Sequence, residues 1–336
     1  MMVRNIRIFL FSFCLFLIMA APLFAIAKST APARMVYVTN AGNNTVSIID
    51  ASKAEVVNTI RVGVWPAGIA IDHESHKAYI VNSSPSDNNV SVIDLKSNSL
   101  VGTIKVGTGP MHIALDTASK KAYVTNTDNN NNTISIVDIG NNTATGNIKV
   151  GKEPFGLALD PKRSRLFVVN SGEDTVSVID LKKNSVIATI PVGNVPLGAA
   201  YSPASGRIYV ANHNSNSISV IDPESNKVAA SISVGKNPWY IGVDTAHNRL
   251  YVPNRSADIV SIIDAASNKV MGSIKVGNDP LGITVDSANN RAYVTNHKDI
   301  SVSVIDTENN VVINTIKLSL TPSSPYAGSP WDVAVD

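Results

Sequence analysis

A four-residue strand signature returns seven times along this chain at a nearly constant interval. Tyr37-Val38-Thr39-Asn40 recurs as Tyr79-Ile80-Val81-Asn82, Tyr123-Val124-Thr125-Asn126 and Phe167-Val168-Val169-Asn170. Tyr209-Val210-Ala211-Asn212, Tyr251-Val252-Pro253-Asn254 and Tyr293-Val294-Thr295-Asn296 complete the set. Subtracting successive first positions gives spacings of 42, 44, 44, 42, 42 and 42 residues. A unit this short cannot bury its own apolar faces and must stack on its neighbours. A repeat of ~40–45 residues matches one four-stranded propeller blade.

Each unit carries four strand signals. After the Tyr-Val-Thr-Asn segment comes an alternating stretch ending in Asp, such as Ile218-Ser219-Val220-Ile221-Asp222. A β-branched run follows, as in Val311-Val312-Ile313-Asn314-Thr315-Ile316, and then a strand led by proline, as in Pro66-Ala67-Gly68-Ile69-Ala70-Ile71-Asp72. Short runs rich in Val, Ile, Thr and Tyr, bounded by Asn, Asp and Gly, read as strands and tight turns. No stretch of the repeats carries a helical period. The expected fold is therefore all-β, a seven-bladed propeller of four-stranded antiparallel blades. The repeats open on a Tyr-Val-Thr-Asn strand and close on the proline-led Pro330-Trp331-Asp332-Val333-Ala334-Val335. The last strand is expected to lie beside the first and complete blade 1, which removes the open edge between the first and last blades.

Residues 1–27 belong to a different kind of sequence. Arg4 and Arg7 precede an apolar run from Ile8 to Phe24, which ends in Ala25-Ile26-Ala27. This is the pattern of a secretory signal peptide. The expected organisation is a leader at 1–27 and a propeller at 28–336. Of the 28 basic residues two lie in the leader, which has no acidic residue, so the remainder balances at 26 against 26. The only Cys, Cys14, is also in the leader. A neutral body gives no electrostatic footprint for nucleic acid, and no later segment is long and apolar enough to enter a membrane. Secretion, the periplasm or the cell surface is the expected location.

The repeated elements Tyr-Val-Thr-Asn, Val-Ser-Val-Ile-Asp, Thr-Ile-x-Val-Gly and Pro-x-Gly-Ile-Ala-x-Asp resemble the YVTN-repeat β-propellers of bacterial and archaeal surface and periplasmic proteins, over residues 35–336. The resemblance implies the fold. It leaves the function open among surface-layer components, binding proteins and relatives of enzyme propellers.

Most repeated polar residues are expected to be structural. Asp50, Asp94, Asp138, Asp180, Asp222, Asp264 and Asp306 end the third strand of each blade, and six of them have Asn four residues on. That is turn chemistry: Asp accepts from N–H groups ahead of it, and Asn tolerates the left-handed conformation. Gly63, Gly107, Gly151, Gly193, Gly235 and Gly277 are expected to supply positive φ before the chain turns inward. Gly68, Ala70, Ala158 and Gly198 are expected to be small because neighbouring inner strands converge on the axis.

With seven copies, the chain supplies its own comparison. The second residue after the inner-strand proline reads Gly68, His112, Gly156, Gly198, Tyr240, Gly282 and Asp332. Three copies abandon Gly for a side chain able to hydrogen-bond. Local rule-breaking of this kind is where function concentrates. Trp239, Trp331 and Phe155 stand one residue earlier, and Trp65 lies beside the equivalent proline. The residue after each Tyr-Val-Thr-Asn reads Ala41, Ser83, Thr127, Ser171, His213, Arg255 and His297. In a meander these two loop sets share a face. The candidate ligand-binding set is therefore His112, Tyr240, Asp332, Trp65, Trp239, Trp331, His213, Arg255 and His297, around one mouth of the central channel. Tyr326, in the longer loop before Pro330, falls on the same face.

No Ser–His–Asp spacing, phosphate loop or metalloprotease helix is present. No catalytic residues, metal ligands or cofactor are assigned. The reading is an exported interaction scaffold that binds protein or glycan at the cell surface through this face. The alternatives are a periplasmic enzyme or redox accessory, quinoprotein-like or lactonase-like, and a surface-layer component.

Overall fold

A computed structural model describes residues 34–127, 132–318 and 329–336. The expected leader and Tyr326 lie outside the described residues. Seven four-stranded antiparallel sheets form the seven blades. In blade 1 the inner strand is Pro330–Val335, followed outward by Met35–Asn40, Thr45–Asp50 and Glu55–Arg61. The inner strands of blades 2 to 7 are Pro66–Asp72, Pro110–Asp116, Pro154–Asp160, Pro196–Ser202, Gly242–Asp244 and Pro280–Asp286. The ring closes as expected: Val36 pairs with Val335 and Val38 with Val333. Val36, Val38 and Ile49 of blade 1 pack in one cluster with Tyr293, Val302 and Val304 of blade 7.

The second strand of each blade is buried along nearly its whole length, because a neighbouring sheet covers each face. The outer strands are exposed along most of their length and bury one isoleucine near the end, as at Ile60 and Ile190. The signature tyrosines reach from one blade into the next. Tyr37 donates to the side chain of Asn98 at 3.1 Å. Tyr251 donates to Asn310 at 2.7 Å and to the Thr307 carbonyl at 3.1 Å. Those Asn residues occupy the left-handed position of the outer turns, with φ of 50° at Asn98 and 58° at Asn310. The turn Asp behaves as expected; Asp94, for example, accepts from the N–H groups of Lys96 and Ser97.

The six glycines after the outer strands do a different job from the one expected. None of them has positive φ. A Cβ on Gly107 would stand 2.5 Å from the Asn126 side chain, and one on Gly63 the same distance from Asn82. That Asn must stay in place because it donates to the third strand of its own blade, as Asn126 does to Thr133 and Ser135. The glycine clears space for a buried clasp.

Positive φ falls two residues later, on the residue before the inner-strand proline: Trp65, Gly109, Glu153, Val195, Asn237 and Asp279. In each case its N–H donates to an Asn or Asp 21 residues earlier, as Trp65 does to Asn44 and Val195 to Asp174. These clasps tie the two loop sets of the channel-mouth face together.

Candidate functional site

The channel mouth is shaped by a bulge at the start of each inner strand. In blade 3 Pro110 pairs with Asn126 and Ile113 with Val124, so Met111 and His112 together oppose Thr125. Two residues facing one is the definition of a β-bulge, and bulges re-aim side chains. The bulged N–H needs an acceptor, and in blades 1, 3 and 7 the signature threonine provides it. His112 donates to the Thr125 hydroxyl at 3.0 Å and Gly282 to that of Thr295 at 2.8 Å. Thr39 passes the connection on, donating to the Ala67 carbonyl of blade 2 at 2.8 Å. Blade 6 has Pro253 at this position. There Trp239 donates to the Pro253 carbonyl instead, and the regular inner strand begins only at Gly242.

Glycine at the bulge is a steric requirement set by the next blade. A Cβ on Gly198 would come 2.8 Å from Cα of Tyr240, and one on Gly282 2.7 Å from Cα of Asp332. Gly68 stands in the same relation to His112. Each of the three larger residues is thus seated against a glycine of the preceding blade.

The structure brings those three together. His112 Nε2 lies 3.8 Å from Asp332 Oδ2. The His112 and Tyr240 rings are 5.2 Å apart, and Phe155 stacks on Tyr240 at 6.3 Å. Trp239 packs edge-on against Trp331 at 6.0 Å and against Phe155 at 6.1 Å. Asp332 and Tyr240 are each only 6% exposed and Trp239 8%. His112 keeps 19% of its side chain accessible.

Burial dominates the electrostatics. It pushes the Asp332 carboxyl up to about 7, although the N–H groups of Val333 and Ile69 pull it back. It pushes His112 down to about 4. Burial thus drives both groups of the 3.8 Å contact toward their uncharged forms. Burial and the charge of Asp332 hold the Tyr240 phenol well above its ordinary value. The indole N–H groups of Trp331 and Trp239 lie close enough to that phenol to moderate the shift. Even so, His112 Nδ1, the Tyr240 hydroxyl, Trp239 Nε1 and Trp331 Nε1 are all buried and lack a hydrogen-bond partner. Leaving such groups unpaired costs about 1–3 kcal/mol each.

The remaining residues form a rim on blades 5, 6 and 7. His213 and His297 bridge blades: their Nδ1 atoms lie 3.3 Å from the Pro238 carbonyl and 3.2 Å from the Pro330 carbonyl. A carbonyl only accepts, so Nδ1 carries the proton in each ring. Burial lowers both imidazoles below the ordinary value. Each ring stands edge-on to a tryptophan, His213 to Trp239 at 5.2 Å and His297 to Trp331 at 6.0 Å. Arg255 lies over Trp239 at 5.0 Å and is held by Asp279 through two hydrogen bonds. Trp65 does not join them. It is 54% exposed, on the loop between blades 1 and 2.

Asp279 escaped the sequence reading. It sits before the inner-strand proline, where the other blades have Trp, Gly, Glu, Val, Asn or Ser. Its signal was a carboxylate at this loop position in the blade that follows the lone arginine, Arg255. Among the described residues, no three His, Cys, Asp or Glu side chains are grouped to hold a metal ion.

A family model for YNCE-like β-propellers matches residues 198–291. No curated protein matches the chain. Among solved structures, Kuenenia stuttgartiensis hydrazine synthase is similar at 20% identity with a TM-score of 0.73, over 81% of this chain and 92% of that one. A functionally unknown protein from Desulfotomaculum acetoxidans aligns at 14% identity and TM-score 0.76, over 90% and 99%. The dihydro-heme d1 dehydrogenase NirN, in complex with DHE, aligns at 16% identity and TM-score 0.63, over 88% of this chain and 65% of that one. At these identities the likeness establishes the shared propeller fold.

Proposed function

We propose that this chain is an exported binding propeller of the YVTN-repeat type, which takes a ligand into the channel mouth walled by His112, Tyr240, Trp239, Trp331 and Asp332. One observation carries the reading. Four buried polar atoms lack partners at the place where the repeat abandons glycine. The clasp residues Asn40, Asn82, Asn126, Asn170 and Asn254 also leave an Oδ1 unpaired; among the described residues, unpaired indole and phenol groups occur only at the mouth. The rim of His213, Arg255, Asp279 and His297 holds the surrounding loops in place and fixes the shape of the opening. Export is supported by the charge and apolar pattern of residues 1–27.

The test is a thermal-shift screen of the mature chain against a broad metabolite and glycan library, with Trp331→Phe as the matched control. Hits that stabilise the parent and not the variant support the role. A screen in which every hit survives the substitution rejects it. Edman sequencing of the exported chain should begin at Lys28.

A second reading has its own observation. Asp332, held near neutrality beside an uncharged imidazole, can give or take a proton at physiological pH. That suits a periplasmic enzyme or redox accessory, and hydrazine synthase and NirN show that enzymes use this architecture. Turnover abolished by Asp332→Asn would favour it.

A further inference from the structure

The chemical inventory of the mouth narrows the ligand, given the binding role above. Two of the partnerless atoms, the indole nitrogens of Trp239 and Trp331, can only donate. The Tyr240 hydroxyl donates or accepts. Asp332 accepts, and so does whichever nitrogen of the neutral His112 ring lacks the proton. The site therefore needs a group that accepts from the indoles and phenol and donates to the carboxylate or imidazole.

Charge excludes the simpler answers. The buried layer has no free cation: Arg255 is held by Asp279, and the three mouth histidines are depressed towards neutrality. Lys298 is exposed on the rim. An anion would be buried beside Asp332 without a counter-charge, which is costly. A cation could pair with Asp332 but, having no lone pair to offer, would leave the indole N–H groups with nothing better than their approach to the Tyr240 hydroxyl. The face of Trp239 that could hold a cation already carries Arg255. A neutral hydroxyl group meets both demands, because its oxygen accepts and its proton is donated. The aromatic edges and faces of Trp331, Phe155 and Tyr240 suit the C–H surface of such a molecule.

We infer that the channel mouth is a saccharide site, in which hydroxyls of one sugar ring accept from Trp239, Trp331 and Tyr240 and donate to Asp332.

The experiment uses tryptophan fluorescence. The chain has three tryptophans, and Trp65→Gly leaves Trp239 and Trp331 as the only reporters. The mature W65G chain is titrated with glucose, galactose, mannose and N-acetylglucosamine. Acetate and tetramethylammonium serve as the anion and cation arms. At least one sugar should give a saturable change in emission. Its affinity should fall about tenfold or more in Trp331→Phe, which keeps an aromatic ring but loses the N–H, and similarly in Tyr240→Phe. Sugar binding that survives both variants overturns the assignment, as does a response to acetate or tetramethylammonium alone. A response of that last kind, lost in Trp331→Phe, overturns the saccharide class and leaves the binding role standing. Silence from every probe also overturns the saccharide class, and the library screen then decides the binding role separately.

Discussion

The hydroxyl of Thr39 accepts the backbone N–H of Asp332 at 2.9 Å, across 293 residues of sequence. One hydrogen bond thus joins the first strand of the ring to the last, and it fixes the bulge from which the buried carboxylate projects. The same hydroxyl donates to Ala67 of blade 2. Replacing Thr39 by Val keeps the shape and removes both connections. The buried N–H is then unpaired, and unfolding in denaturant should show a loss of about 1–3 kcal/mol. Thr103→Val, on an exposed outer-strand position, should change stability by less than about 0.5 kcal/mol.

Asp332 makes stability depend on pH. Its folded value, about 7, lies above the ordinary 3.8. The folded state therefore keeps a proton that the unfolded chain has already lost. No penalty is felt below about pH 4; it grows as pH rises and is complete above about pH 7. Asp332→Asn should raise stability on the order of 2–4 kcal/mol at pH 8 and leave it unchanged near pH 4. His112 acts at the acid end. Its folded value, about 4 against 6.5, costs stability as pH falls through that window. Thermal melts of Asp332→Asn and His112→Gln across pH 4–8 separate the contributions.

The bulge glycines predict a contrast between two Gly→Ala substitutions. A Cβ at Gly198 would stand 2.3 Å from the Trp239 carbonyl oxygen, so the backbone of blade 6 must yield. Gly198→Ala should cost about 1–3 kcal/mol and shift tryptophan emission, because Trp239 moves with its carbonyl. Gly102→Ala meets nothing within 4 Å. It should leave both readouts unchanged.

Val195 has φ of 47°, a conformation that β-branched residues avoid. Blade 6 has Asn237 at the same place with φ of 56°. Val195→Asn should therefore stabilise the chain by about 1 kcal/mol in chemical denaturation, with the N–H to Asp174 retained. A loss of stability would show that packing of the Val195 side chain outweighs the backbone cost.

These outcomes bear on how much the sequence could reveal. Blade number, strand order and closure were legible because the period and the end phases are properties of the chain alone. The convergence of His112, Tyr240 and Asp332 was legible because seven copies made three departures visible. The jobs of Gly107 and Thr125 were not. Both depend on what lies against them: an Asn side chain in one case, a bulged N–H in the other. A one-dimensional pattern shows that a residue recurs without showing what it touches. For the same reason Trp65 read like Trp239. Both lie within one residue of the inner-strand proline, but Trp65 precedes it on the exposed turn and Trp239 follows it into the bulge.

The pairing of Pro330–Val335 with Met35–Asn40 also orders events in time. Contacts so distant in sequence form slowly, after the local hairpins of the other blades. The carboxylate of the mouth rides on that final strand. A chain released short of residue 330, or one whose blades have stacked without closing, has most of the ring and an incomplete site. Under the proposed binding role, competence to bind then reports that synthesis and folding have both finished.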